Sequence, residues 1–369
     1  MKNQEKIKKI PVMVISTFGH CGIDWLHSLI DSHKEVLIIP PLSFFRNIEI
    51  LKRNKNNLNS SLSSKAITNI IVKVILKKSE HESYNILSKN QSKSVFKKYI
   101  NDFLTAEKNL NIEKKLFFAI HYAFAKINKI NLDKIKIIVA HEHAPWNCYQ
   151  YEKHFNSKFV FMLRDPRASF AGSLRIHKRL KNTPINFIFD MSLSYMVSAQ
   201  KFFKKINKKK ILVLRNEKMH NNLKYEMKKL SKWFNIQFNK SLLNPTFLGK
   251  KWIGDSSYLS RVDLKKSYPI SEQNYYKSIN VEKRWRSVLD KNTILIIETV
   301  FEKIMIRHQY KFDNKLNVIT RVFGYLSLLL RFNQFNNFFY FIIGFIKSAI
   351  RRIFIIFFSK QSRIFFDIV

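Results

Sequence analysis

The chain has 369 residues, enough for one large domain with an appendage, and only two cysteines, Cys21 and Cys148. That excludes a disulfide framework and points to a reducing, cytoplasmic compartment. Its 66 Lys and Arg against 26 Asp and Glu leave a formal charge of +40, which calls for an anionic ligand, a polyanion or a membrane surface as partner.

The N-terminal stretch "MKNQEKIKKIPVMVIS" has basic residues but neither a long apolar core nor a small-residue cleavage site. It is not a signal peptide and is read as the first strand of a cytoplasmic domain. Its apolar run, Val12 to Ile15, leads into "STFGHCGIDWLHSLIDSH", residues 16 to 33, where Gly19 and Gly22 allow a tight turn before a helix. A glycine-containing turn between a buried strand and a helix start can cradle a phosphate, because the helix end offers unpaired N–H groups and a positive dipole. The lysine and Ser/Thr of a Walker loop are missing, which argues against a nucleotide triphosphatase.

Further short apolar runs read as strands at Val36 to Ile39, Ile135 to Ala140, Phe159 to Leu163 and Ile211 to Leu214. Continuous apolar runs alternating with helices predict an α/β fold, a three-layer sandwich around a mostly parallel sheet. Ligands then bind beyond the carboxyl ends of the strands. Residues 44–134 show helical periodicity, broken by the polar "RNKNNLNSSLSSK" at 53–65, which reads as a loop. This helical insert is either a surface excursion or an acceptor-binding lid.

After the third run comes "AHEHAPWN", 140–147, on the working edge. His141, Glu142 and His143 are candidates for acid–base work, with Glu142 and His143 the preferred pair to take an acceptor proton. A His-x-His pair can ligate a metal, but a tetrahedral site wants more ligands and no further cluster accompanies it. No metal is expected. The fourth run opens "KFVFMLRDPRASFAGSLRIHKRL", 158–180. Arg164 falls at the strand's end, where a guanidinium can grip a phosphate with two parallel hydrogen bonds, and Pro166 suits a helix start. An Arg–Asp pair capping the helix is the other reading of this stretch.

Taken together, these stretches resemble the sulfotransferases that use 3'-phosphoadenosine 5'-phosphosulfate (PAPS). Residues 25–33, "WLHSLIDSH", look like that family's "WLHSLLDSH", and Arg164 to Arg167 match its R-D-P-R motif letter for letter. "LRNEKMHNNLKYEMKKLSKWFNI" at 214–236 is similar to its next strand and helix. "GKKWIGDSS" at 249–257 and "VEKRWR" at 281–286 look like the late loop and helix that close over the nucleotide. The likeness covers residues 11 to about 310.

The resemblance implies transfer of a sulfuryl group from PAPS, bound as co-substrate, to a hydroxyl acceptor, expected to be a polysaccharide, glycolipid or other large molecule. It implies a 5'-phosphosulfate loop of Gly19, His20, Cys21, Gly22, Ile23, Asp24 and Trp25. Arg164, with either Ser169 or Ser173, would take the 3'-phosphate, and Lys250 and Lys251 would contact the nucleotide. The sequence also departs from the family. Its basic loop residue falls on His20, its serine on Cys21, and its two hydroxyl residues on Ile23 and Asp24. An aspartate there repels a phosphosulfate unless Asp24 turns away to cap the helix. His20 is left as the polar group able to meet oxygens that gain charge, which makes it a catalytic candidate. The other functional reading is an inactive sulfotransferase-fold protein that binds membranes or polyanions.

The tail, 318–369, is rich in Phe, Ile and Leu, with basic residues spaced through it and Asp367 its only acid. No stretch is apolar enough to span a bilayer. Ile343, Ile346, Ile350, Ile353, Phe354 and Phe357 recur at helical spacing, leaving Lys347 and Arg351 on another face. That pattern suits an interfacial helix on an anionic membrane, here the inner face, or a helix packed on the core. The spread of basic residues, with no recognition motif, argues against nucleic acid.

Overall fold

The structure is a computed structural model that describes residues 2–53, 63–76, 85–88, 90–178, 185–252, 284–330 and 338–357. Five parallel strands form the central sheet: β1 (Val12–Thr17), β2 (Val36–Ile38), β3 (Ile137–Glu142), β4 (Lys158–Leu163) and β5 (Ile211–Arg215), in the order β2-β3-β1-β4-β5. β1 lies at the centre with all six residues buried, pairing Ile15 with His141 on one side and Val160 on the other. Such apolar runs bury both faces, as a covered parallel sheet requires. A two-stranded hairpin, β6 (Thr246–Phe247) and β7 (Lys250–Lys251), stands apart from it.

The helices, in chain order, begin with α1 (Lys2–Lys9), α2 (Ile23–Ile30), α3 (Phe44–Arg53), α4 (Ser64–Ile75), α5 (Lys93–Ala106), α6 (Ile112–Ile127) and α7 (Cys148–Phe155). They continue with α8 (Pro166–Lys178), α9 (Ile185–Lys205), α10 (Asn216–Asn221) and α11 (Leu223–Phe234). The last are α12 (Lys291–Val300), α13 (Glu302–Arg307), α14 (Val318–Leu330) and α15 (Phe338–Phe357). Several start where polar side chains close the first turn: Ser63, Ser92, Asn111 and Asp290 each accept a backbone N–H three residues on. α2 and α7 pack on β1, and α10 and α11 on β5.

Two readings need correction. The N-terminal stretch is not strand throughout: Lys2–Lys9 is a helix whose Ile7 is buried, and β1 begins only at Val12. β3 runs two residues beyond Ala140, so His141 and Glu142 belong to the strand. The 53–65 loop lies largely outside the described residues, which resume in the Ser63-capped start of α4.

The C-terminal helices are docked to the body by charge. Arg352 of α15 is fully buried, and its Nε donates to Asp190 Oδ1 of α9 at 2.8 Å while Nη1 donates to the Leu328 carbonyl of α14 at 2.8 Å. Gly324 of α14 lies so close to α12 that a Cβ would collide with Thr299. The buried stripe of α15 is thus Ser348, Arg352 and Ile355, whereas Ile346, Ile350 and Ile353 are exposed. Of the expected stripe these three isoleucines face outward, Phe354 is half-buried, and the side chains of Ile343 and Phe357 lie outside what the structure describes; exposed Val318, Ile319, Val322, Phe323 and Leu326 of α14 join them. Among the described residues no helix is long and apolar enough to cross a membrane.

Candidate functional site

The chain leaves β1 at Thr17 and enters α2 through a turn cornered by Gly19 (φ +96°) and Gly22 (φ +85°). Both angles lie in the left-handed region that a side chain resists. Space forbids one as well: a Cβ would come within 2.8 Å of Ser169 Oγ at Gly19 and 2.7 Å of Asn216 Nδ2 at Gly22. These two neighbours hold the turn. Ser169 Oγ donates to the Phe18 carbonyl at 3.2 Å and lies 3.3 Å from Cys21 Sγ, and Asn216 Nδ2 donates to the Cys21 carbonyl at 3.0 Å. Gly22 is the residue before α2 and has no side chain to cap it. The first N–H groups and the positive end of α2 therefore face the turn, the arrangement that suits an anion.

The remaining loop residues divide into lining and core. Cys21 and Ile23 are buried, and burial pushes the Cys21 thiol up to about 11, so it packs as an uncharged group. Trp25 stacks on His220 of α10 with ring centroids 4.4 Å apart. His20 lies half-buried at the bend. Asp24 does not cap α2; it points across to the end of β3.

There Asp24 meets a line of histidines. Strand alternation sends His141 and Glu142 to opposite faces of the sheet. His141 Nδ1 lies 3.0 Å from Nδ1 of buried His27 on α2, and its Nε2 lies 2.9 Å from His143 Nε2. Asp24 Oδ1 is 3.8 Å from His141 Nε2 and 3.7 Å from His143 Nε2. Burial lowers His27 to about 3 and His141 well below its usual value, which keeps both imidazoles neutral. Glu142 goes the other way, beside Cys148 and Tyr151 of α7. Its Oε1 accepts the Ala144 N–H at 2.9 Å, and burial pushes its carboxyl up to about 7. The expected pair of Glu142 and His143 is therefore split between two faces, and His143 is grouped with His141 and Asp24.

At the end of β4, Arg164 is buried against the turn, close enough to influence both Cys21 and Glu217. Asp165 and Arg167 follow the capping reading instead. Asp165 Oδ1 accepts the Arg167 N–H at 2.9 Å, and Oδ2 accepts Nη2 at 2.7 Å. Arg167 continues to Glu298 of α12 at 2.6 Å and lies over the Trp285 ring, tying α8 to α12 and the turn before it. Ser169 faces the turn, whereas Ser173 donates back to the Ser169 carbonyl at 3.4 Å along its own helix. Lys250 and Lys251 are exposed on the hairpin, whose Phe247 stacks on His27 at 4.7 Å. The rest of the late loop, 253–283, lies outside the described residues. Asn216, His27 and His220 were not singled out in the sequence. Asn216, just past β5, lies two residues beyond the predicted strand Ile211 to Leu214, behind Arg215, and could have been found as a polar residue on that working edge.

No family model matches the chain, and no curated protein matches it. Among solved structures, the sulfotransferase domain from the curacin biosynthetic pathway superposes with a TM-score of 0.51 at 14% identity, covering 82% of this chain and 99% of that one. This chain has the sulfotransferase fold. The sulfotransferase domain of the Synechococcus PCC 7002 olefin synthase gives 0.41 at 11% identity, covering 86% and 94%. Sulfotransferase STF9 from Mycobacterium avium gives 0.43 at 9% identity, covering 85% and 81%.

Proposed function

We propose that the chain transfers a sulfuryl group from PAPS to a hydroxyl on a polysaccharide, glycolipid or other large acceptor. The observation that carries this reading is the uncapped, glycine-cornered start of α2 beside Arg164, at adjoining strand ends of a sulfotransferase fold. A 5'-phosphosulfate at the turn would meet the first N–H groups of α2, and the nucleotide would extend toward Arg164 and Ser169. Reaction is an in-line displacement: the acceptor oxygen attacks sulfur, the S–O bond to the phosphate breaks, and the acceptor proton leaves to a base. His20 at the bend offers a hydrogen bond to oxygens that gain charge. Of the two base candidates, the reading favours His143, which is 42% exposed beside a carboxylate, over the buried Glu142.

The outward apolar stripes of α14 and α15, on a chain of net charge +40, support docking on an anionic membrane face, where a glycolipid acceptor would be in reach. The second reading, a protein of this fold that binds membranes or polyanions without catalysis, is favoured by a turn, residues 18–25, that carries neither Lys nor Arg. Calorimetry with 3'-phosphoadenosine 5'-phosphate (PAP) decides between them. Saturable binding that Arg164→Ala weakens supports the transferase, and a folded protein with no affinity for PAP removes it.

A further inference from the structure

Beside the turn, three donor atoms from two elements converge. Asp24 Oδ1, His141 Nε2 and His143 Nε2 all lie within 4.8 Å of one another, with separations of 2.9, 3.7 and 3.8 Å. A tetrahedral ion with bonds of ~2.0–2.1 Å spaces its ligand atoms about 3.3 Å apart, inside that range. Among the described residues Asp24 Oδ1 is buried and accepts no hydrogen bond, the two imidazole nitrogens being too far away to donate one. A buried carboxylate oxygen without a partner is costly, and a cation between it and the imidazoles would supply that partner.

We infer that Asp24, His141 and His143 bind one divalent cation of the zinc class. Two imidazoles and one carboxylate are a donor set for Zn²⁺ rather than for Mg²⁺ or Ca²⁺, which take oxygen. Three protein ligands leave a fourth position open, on the side where His143 reaches solvent. His27 is the positioning residue. When His141 ligates through Nε2, its Nδ1 carries the proton and donates to His27 Nδ1, fixing the ring. A doubly charged ion would also cancel Asp24 and restore positive charge to a turn that lacks Lys or Arg. That consequence rests on the proposed phosphosulfate site; the metal site does not. With the ion bound, His143 is a ligand, and the acceptor hydroxyl must lose its proton to another group or to water.

The test uses full-length protein stripped with EDTA and titrated with Co²⁺ and then Zn²⁺. One equivalent of Co²⁺ should give the strong visible absorption of a four-coordinate ion, and Zn²⁺ should abolish it. Asp24→Ala and His143→Ala, shown folded by circular dichroism, should each weaken Zn²⁺ binding by at least ~100-fold. His27→Leu, which acts only through His141, should weaken it by roughly 10- to 100-fold. No absorption at one equivalent, or absorption unchanged in both ligand variants, overturns the site. Calorimetry with PAP on the stripped protein is read separately. Cobalt absorption without PAP affinity keeps the metal site and removes the nucleotide reading, and PAP affinity without cobalt absorption does the reverse.

Discussion

The carboxyl edge of the sheet and the C-terminal helix pair solve opposite problems with the same residue types. At the edge, Arg164, Asp24 and the histidines gather polar groups around a turn whose own interior, Cys21 and Ile23, is apolar. In α14 and α15 the charge is inside and the apolar surface outside: Arg352 is buried on Asp190, and Ile346, Ile350 and Ile353 face out. A buried ion pair stabilises little by itself, since desolvation offsets most of the attraction, but it dictates which face of a helix turns inward. The difference teaches that one region gathers polar groups around an uncapped helix start, a geometry that suits a small anion, while the other presents a broad apolar face.

The largest effect should come from the edge. In metal-free protein, where His143 is not a ligand, His143→Ala is expected to lower turnover by ~10²–10⁴-fold in a transfer assay with PAPS, the usual weight of a proton-transfer group. Glu142→Gln, on the opposite face, should change it less than about tenfold. Equal losses would move the chemistry to the other side of β3. His20→Ala should lower turnover far more than PAP affinity, because it meets charge that develops only as sulfur leaves.

Next in size is the inverted region. Asp190→Ala leaves Arg352 buried without its carboxylate and should cost about 3–5 kcal/mol in urea unfolding. Replacing both Asp190 and Arg352 by Leu should recover most of that loss, since the pair is then removed whole. A double variant as weak as the single one would mean that the pair is not what holds α15.

Much of this comparison was legible in the sequence, for definite reasons. The five strands showed themselves as apolar runs bounded by turns, because both faces of a parallel sheet are covered. Gly19, Gly22 and Arg164 were legible because each follows such a run. α1 was not, since Lys2–Lys9 is mostly charged and only Ile7 and nearby Ile10 mark its inner face. Asp24 could be placed on the first turn of α2 but not against His141, because parallel pairing of β1 and β3 brings them together from distant stretches. The spacing of Ile346, Ile350 and Ile353 revealed a stripe, but not its direction. That depended on Asp190, an acid inside a helix whose partner lies far along the chain.

Arg164→Ala sharpens the comparison from the edge side. A buried guanidinium that meets a phosphate is worth about 1.5–3 kcal/mol, so PAP affinity should fall by roughly 10- to 100-fold, with stability little changed. Arg167→Ala should behave differently: Arg167 is bonded to Asp165 and Glu298, so its loss should appear in unfolding rather than in binding. If PAP affinity follows Arg167 instead, the capping role given to that residue fails.

The smallest effect concerns the outward face, and salt separates its two components. Ile350 is exposed on α15 next in line to Ile346, with exposed Lys347 beside them. Insertion of an Ile into the headgroup boundary contributes on the order of 1 kcal/mol, so Ile350→Ser should lower partition onto anionic vesicles about fivefold. A basic side chain near an anionic surface contributes a similar amount, so Lys347→Ser should lower partition about as much. The two losses should respond differently to ionic strength. Raising salt from about 0.1 to 1 M shortens the Debye length from roughly 10 to 3 Å and should erase the lysine effect while leaving the isoleucine effect intact. Vesicle flotation of the full chain and both variants at two salt concentrations measures this. Should the full chain ignore anionic vesicles at low salt, the apolar face of α14 and α15 is a contact for protein rather than for lipid.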